Sequence, residues 1–321
     1  MRLKDLTKIE SWNYVPLTIK KTVQAELSLK EDISCPLIPH WDEYWESEKD
    51  FSALAAVNNS SPLMNINDEL VVDFSHKTHQ VIIAPANKKS TLIIPSQDAK
   101  NFGNKRLDIL VEENSELLVI HPSILEFELP QLMHLHFYVQ KQAQVEYVGV
   151  NMGGVQRLNL RAYMQGENSN FNLRHLGVNR KTEQNHLFVA MEHESPRSTS
   201  NQLIRTLQEN KSLFSCDNIV HIPKNITDCE AHQTINSLLL SGSPKSMTKP
   251  TMLIYNEQVQ ASHGNTIGSL DPEMLFYLLS RGMDLDSARK TLMRAFAHEV
   301  FMNLPYHKVL KSLETQVLER L

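Results

Sequence analysis

The sequence predicts a mainly β protein in which a parallel β-helix core follows a helical or irregular N-terminal region and precedes an α-helical module. Three observations carry this. Between about Glu69 and Gln260, short runs alternate apolar and polar side chains, as in LVVDF from Leu70, QVIIA from Gln80, TLII from Thr91 and LDILV from Leu107. Successive side chains on a strand point to opposite faces, so a period of two marks strands. Within this region a polar turn between aliphatic residues recurs. After Asp271 the apolar spacing turns helical.

The recurring turn identifies the kind of β fold. VEENSEL (Val111 to Leu117), VQKQAQV (Val139 to Val145) and LQENKSL (Leu207 to Leu213) share one frame, and MQGENSNF (Met164 to Phe171) repeats it with one residue inserted at Gly166. Val111, Val139 and Met164 lie 28 and then 25 residues apart. A period near 25 built from strands suits one coil of a parallel β-helix. The turns at Glu112, Lys141, Glu167 and Glu209 are therefore expected along one edge. The competing architecture is a β-sandwich with unrelated hairpins.

Three regions follow. Residues 1–68 form the N-terminal region, with loose helical spacing in Asp5 to Ile9 and Thr18 to Leu29. Cys35-Pro36 and Ile38-Pro39 interrupt it. The stretch His40 to Phe51, with two of the three tryptophans among acids, reads as an amphipathic covering helix or a partner-docking motif. Residues 69–270 are the β-helix core. Residues 271–321 are the helical module. Asp271-Pro272-Glu273 is a helix start, with a capping aspartate, a proline in the first turn and an acid near the positive helix end. The first helix stops at Gly282. A second starts near Asp284, with apolar positions Leu285, Ala288, Leu292, Ala295, Phe296 and Val300. A third, Tyr306 to Leu321, carries Val309, Leu313, Val317 and Leu321 on one stripe. These stripes are expected to serve the module's own packing.

The chain has 321 residues, 41% hydrophobic and 21% charged, with a net charge of −5. That balance suits a soluble globular protein and argues against an electrostatically driven nucleic-acid binder. Cys35, Cys216 and Cys229 form no C-x-x-C and are odd in number, so a reducing cytoplasm is expected. The N-terminus lacks the apolar core of a signal peptide, and no apolar run approaches the ~20 residues of a membrane span.

No phosphate-cradling G-x-x-x-x-G-K-[ST], no G-x-S-x-G elbow and no H-E-x-x-H occurs. NMGGVQR reads as a turn, and so does the Ser-Pro after His193-Glu194. His134-Leu-His136 and His76-x-x-His79 invite a metal reading but show no further ligands, so surface or hydrogen-bonded histidines are expected. Cys216 and Cys229 read as buried, unreactive thiols. A β-helix carbohydrate-active enzyme would need two acids facing across a groove. Glu112, Glu113 and Glu167 instead fall in polar turns.

One further stretch, VQASHGNTIGSL from Val259, sets His263 among small and polar residues. On the residues alone this is a hydrogen-bonded turn histidine or a ligand. HESPRSTSN (His193 to Asn201), AHQTINSLLLS (Ala231 to Ser241), KPTMLIYNEQVQASHGNTIGSLD (Lys249 to Asp271) and LFYLLSRGM (Leu275 to Met283) together resemble the SufB/SufD iron–sulfur cluster assembly scaffolds. The resemblance spans roughly residues 150–310. Ser262-His263-Gly264-Asn265-Thr266-Ile267-Gly268 looks like the SufD branch.

The resemblance implies a right-handed β-helix flanked by helical regions, and a non-catalytic scaffold subunit. It implies a SufB-like sister subunit and a SufC-like ABC ATPase as partners, and leaves homodimer or heterocomplex open for the isolated chain. No nucleic acid or membrane partner is implied, and no cofactor is expected on the chain alone. Iron or a cluster would be bound in the assembled complex, with His263 as ligand at the subunit interface. SufD-type sequences often carry cysteine two residues before this histidine; Ala261 stands there, which excludes a thiolate. The helical module would dock the ATPase through Phe276, Tyr277 and Arg281. The readings set against this are the carbohydrate-active enzyme and a purely structural interaction protein.

Overall fold

The computed structural model describes residues 63–75, 78–96, 103–126 and 129–321. The segment expected to be helical or irregular before residue 63, with Cys35 and the His40 to Phe51 stretch, lies outside them, as does His76. The described chain winds between two eight-stranded parallel sheets. One holds β1 (Met64–Asn65), β3 (His79–Ala84), β5 (Gly103–Val111), β7 (Gln131–Val139), β9 (Val155–Met164), β11 (Gln184–His193), β13 (Leu213–Ile222) and β15 (Lys245–Ile254). The other holds β2 (Glu69–Val71), β4 (Lys89–Ile93), β6 (Glu116–Ile124), β8 (Gln144–Met152), β10 (Asn170–Asn179), β12 (Thr199–Gln208), β14 (Cys229–Leu239) and β16 (Val259–Gly268). Consecutive strands alternate between sheets and every pairing is parallel. This is the expected parallel β-helix, with the sandwich excluded.

The period-two pattern explains the interior. Leu107, Leu135, Leu160 and Val189 stand in register on four successive strands of the odd sheet, each fully buried. Burying one such aliphatic side chain contributes ~1.5–3 kcal/mol. Phe137 sits in register with the small Ala162 and meets Phe171 edge-on at 5.0 Å. Large beside small lets successive coils interlock.

The polar turns make the corners. Asn87, Asn114, Gln142, Asn168, Arg197 and Asp228 all have positive φ. Each amide donates to a carbonyl of the next coil, from Asn87 N to Glu113 O at 3.0 Å through to Asp228 N to Gln258 O at 2.7 Å. Glu112, Lys141 and Glu167 lie on this edge as expected. Glu209 does not. LQENKSL joins β12 to β13 and so belongs to the opposite edge, beside Lys181. The turn that follows Glu167 on the first edge is Glu194 to Ser198, inside HESPRSTSN.

Three helices follow the last strand: α1 (Pro272–Ser280), α2 (Leu285–His298) and α3 (Lys308–Arg320), with a 3-10 turn, Glu299–Phe301, after α2. Asp271 caps α1 by accepting from Glu273 N and Met274 N, and Asp284 caps α2 from Ser287 N. Gly282, at φ 90°, closes α1 in the left-handed conformation that glycine adopts freely.

The stripes of α2 and α3 differ from expectation. They do not merely pack the module on itself. Met293, Ala297, Val300, Leu313 and Val317 form one buried cluster with Leu118, Ile120, Val148, Val150, Leu176 and Leu207 on the outer face of the even sheet. Leu285 and Ala295, placed on the stripe by spacing, are exposed, while Met293 and Ala297 take the buried positions. Arg174 and Arg205 of that sheet donate to the carbonyls of Met302 and Phe296.

Candidate functional site at the open end of the solenoid

β15 and β16 form the last coil. Among the described residues β15 pairs only with β13, and β16 only with β14. No described strand pairs with their outer edges, which form a backbone ledge, the template for adding another strand. Leu253, Tyr255 and Ile267 are exposed apolar residues beside it.

His263 lies within β16, not in a turn. β15 ends at Ile254 and β16 begins at Val259 after a short turn, so the histidine is mid-strand on the last rung. It is in register with Gln233 of β14. Val259, of the same strand phase, packs against the interior cluster, which sets the His263 side chain on the inner face of the coil. Two residues on, Asn265 accepts a 2.9 Å hydrogen bond from Thr248 of β15, across the coil. The outward residues of β16 hold surface ladders: Ser262 meets His232 at 2.7 Å, and Thr266 accepts from Asn236 at 2.6 Å. The histidine remains exposed because no coil follows it in the described chain.

Helix α1 stands beside this end and buries none of its residues. Phe276 and Tyr277 are 72% and 50% exposed, and Arg281 lies over the Tyr277 ring at 5.2 Å. Met274, Leu279 and Met283 extend the exposed apolar surface.

The other candidates fall into structural roles. His134 is fully buried between Asn104 at 2.9 Å and Asn159 at 3.0 Å, and His79 binds Asp108 at 2.7 Å. His193 bridges Ser198 at 2.7 Å and Ser200 at 2.9 Å, and burial pushes its pKa down to about 4. Cys216 and Cys229 are free and buried, and burial drives the Cys216 thiol pKa up. Glu112 accepts from Ala86 N at 2.9 Å and Glu167 pairs with Arg197, both at corners. Among the described residues no three His, Cys, Asp or Glu side chains are grouped to hold a metal ion. None of the described helices is long and apolar enough to cross a membrane.

The comparisons with known proteins meet at this architecture. A family model described as SUF system FeS cluster assembly, SufBD core domain, matches residues 66–296. The chain belongs to the SufBD family. The family domain begins well before the 150–310 stretch that carries the sequence resemblance. The iron–sulfur cluster assembly protein SufD of Escherichia coli (strain K12) is 28% identical over 256 residues, covering 78% of this chain and 59% of that protein. Protein ABCI7, chloroplastic, of Arabidopsis thaliana is 30% identical over 213 residues, 64% of this chain and 44% of that one. SufD of Bacillus subtilis (strain 168) is 32% identical over 99 residues, 31% and 22% of the two chains. The chain spans 59% or less of the length of these three relatives.

Sequence reasoning singles out His263 and α1 as candidates in this SufBD-family chain but not the polar residues beneath the histidine. Gln233 stands in the strand phase of Ala231 and Ile235, both fully buried. A glutamine in the apolar phase of AHQTI was the available signal.

Proposed function

We propose that this chain is a SufD-type, non-catalytic scaffold subunit for iron–sulfur cluster assembly in a reducing cytoplasm. A SufB-like sister subunit adds to the ledge formed by β15 and β16, and a SufC-like ATPase docks on α1. The observation that carries the reading is an inward imidazole on a terminal rung with no further described strand beside it. A partner laid on that rung would bring its own ligands to His263. Iron, or the growing cluster, is the cargo of this site and not a resident cofactor.

The chemistry suits the residue. Neutral imidazole binds iron, and a mixed histidine and thiolate set raises cluster potential relative to thiolates alone. Ala261 and Ser262 offer no soft donor, so His263 would be this chain's contribution and thiolates would come from the partner. The carbohydrate-enzyme reading gains nothing from the corner acids, which are engaged in the corners themselves.

The test is His263→Ala in the assembled complex. The side chain is exposed among small and polar neighbours, so its loss should cost under about 1 kcal/mol of stability. Cluster absorbance should fall sharply while the complex still forms. Full cluster yield from the mutant complex would sink the ligand role.

A further inference from the structure

Beneath His263 the interior changes character. Leu173, Gln202, Gln233 and His263 stand in register on β10, β12, β14 and β16. On the facing sheet Val189, Asn218 and Pro250 stand in register on β11, β13 and β15. Gln202, Gln233 and Asn218 are 2%, 1% and 0% exposed. The two columns touch where Gln233 Nε2 donates to the Asn218 carbonyl at 3.1 Å. Among the described residues, five other side-chain atoms have no hydrogen-bond partner: Gln233 Oε1, both polar atoms of Gln202 and both of Asn218.

The adjacent inward column shrinks in side-chain size over the same coils, with His193 reaching Ser200 from the facing sheet at 2.9 Å. Val145 and Phe171 fill it in earlier coils, but Ser200, Ala231 and Ala261 follow on the last three. Polar replaces apolar and small replaces large in the same coils, on the side where the solenoid opens. Five buried polar atoms left dry would cost as much as a domain's ordinary margin of stability. The unpaired groups are neutral amide donors and acceptors. Water satisfies both kinds, whereas a bare ion satisfies one.

We propose that the last coils enclose a shaft of ordered water that opens at His263, is floored by Leu173 and Val189, and is coupled to the imidazole through Gln233. Two strand spacings make it about 10 Å deep. Its functional consequence rests on the proposed ligand role of His263. A histidine that gives one ring nitrogen to a metal needs the other N–H held by an acceptor. A docked partner covers the outer side of His263, and water on Gln233 Oε1 supplies the acceptor from within. Gln233 is thus a positioning residue.

Water-to-amide cross-relaxation in the isotope-labelled full chain tests the shaft. Long-lived water should appear at the side-chain amides of Gln202, Asn218 and Gln233. In Gln233→Leu the water signal at Asn218 should weaken at least twofold. The His263 ring nitrogen shifts should move toward an even tautomer mixture, while Gln233→Glu, which keeps an acceptor, should hold the wild-type shifts. No long-lived water at these amides, or unchanged ring shifts in Gln233→Leu, overturns the proposal. Should Gln233→Leu not fold, Gln202→Leu gives the water readout one coil deeper, with the same two outcomes. None of these measurements involves iron, so a failed ligand role leaves the shaft standing, and a dry shaft leaves the ligand role to its own test.

Discussion

Asp108 shows how much a single carboxylate can carry in this chain. It is 2% exposed on the outer face of the odd sheet and takes two 2.8 Å bonds from Arg106 and one of 2.7 Å with His79. Burial pushes its pKa up, but the Arg106 charge and the hydrogen bonds from His79 and Arg106 outweigh burial and hold it far below the usual range. A depressed carboxylate contributes stability above its unfolded value, ~4, and loses it as pH falls toward the folded value. Asp108→Asn should therefore cost ~3–5 kcal/mol in denaturant unfolding at pH 7, because it removes the buried negative charge that Arg106 and His79 both bond. A loss under about 1 kcal/mol would show that the pair is effectively solvated. This network was not legible in the sequence. His79 lies 29 positions from its partner, and only the coil period brings them together.

The corners and caps were the more legible elements. Gly166, visible in the sequence as an insertion, has a backbone reason. A Cβ there would stand 1.8 Å from Lys141 N and 2.2 Å from Gln140 C, both backbone atoms of the neighbouring coil. Gly166→Ala must shift a whole corner and should destabilise by at least ~1–3 kcal/mol. At Gln142, φ 57° and exposed, a β-branched residue should cost ~1–2 kcal/mol, whereas glycine should be tolerated. Thermal melts of Gln142→Val and Gln142→Gly would expose the difference. The edge assignment of LQENKSL failed because a polar turn between aliphatics looks the same on either edge of a two-sided coil. Helix α1 was placed by its caps, and its lack of burial makes it testable alone. Phe276→Asp with Tyr277→Ser should leave the melting temperature within about 2 °C and abolish ATPase co-purification. Undiminished binding would remove α1 from the interface. Deleting residues 271–321 cannot serve, since it strips cover from the even sheet.

Across the whole molecule, buried histidines set the acid limit. His121 and His193 are lowered to about 4, and His175 and His186 to about 3, in each case chiefly by burial. At pH 5 the unfolded chain protonates them, with ordinary values near 6.5, and the folded chain does not. Lowered histidine values therefore contribute stability above pH ~6.5 that is lost on the way down to the folded values. Four such groups set a slope of up to roughly 5 kcal/mol per pH unit near pH 5. Denaturant midpoints should fall steeply from pH 6.5 to 4.5; a flat profile there would mean the histidines are hydrated. The strand pattern, the coil period and the helices were readable because each is local in sequence. The strapping of the helices was not, since both an isolated module and a strap have the same stripes. That strap has a consequence for cooperativity. Stacked repeats ordinarily unravel from their ends, because each touches only its neighbours. Here α2 and α3 lie across β6, β8, β10 and β12, and His307 reaches Glu69 of β2 at 2.8 Å. Fraying of the middle coils is therefore tied to release of the C-terminal helices. The described chain should melt as one unit despite its repeating build, with only the last rung, which the strap does not cover, left free to rearrange.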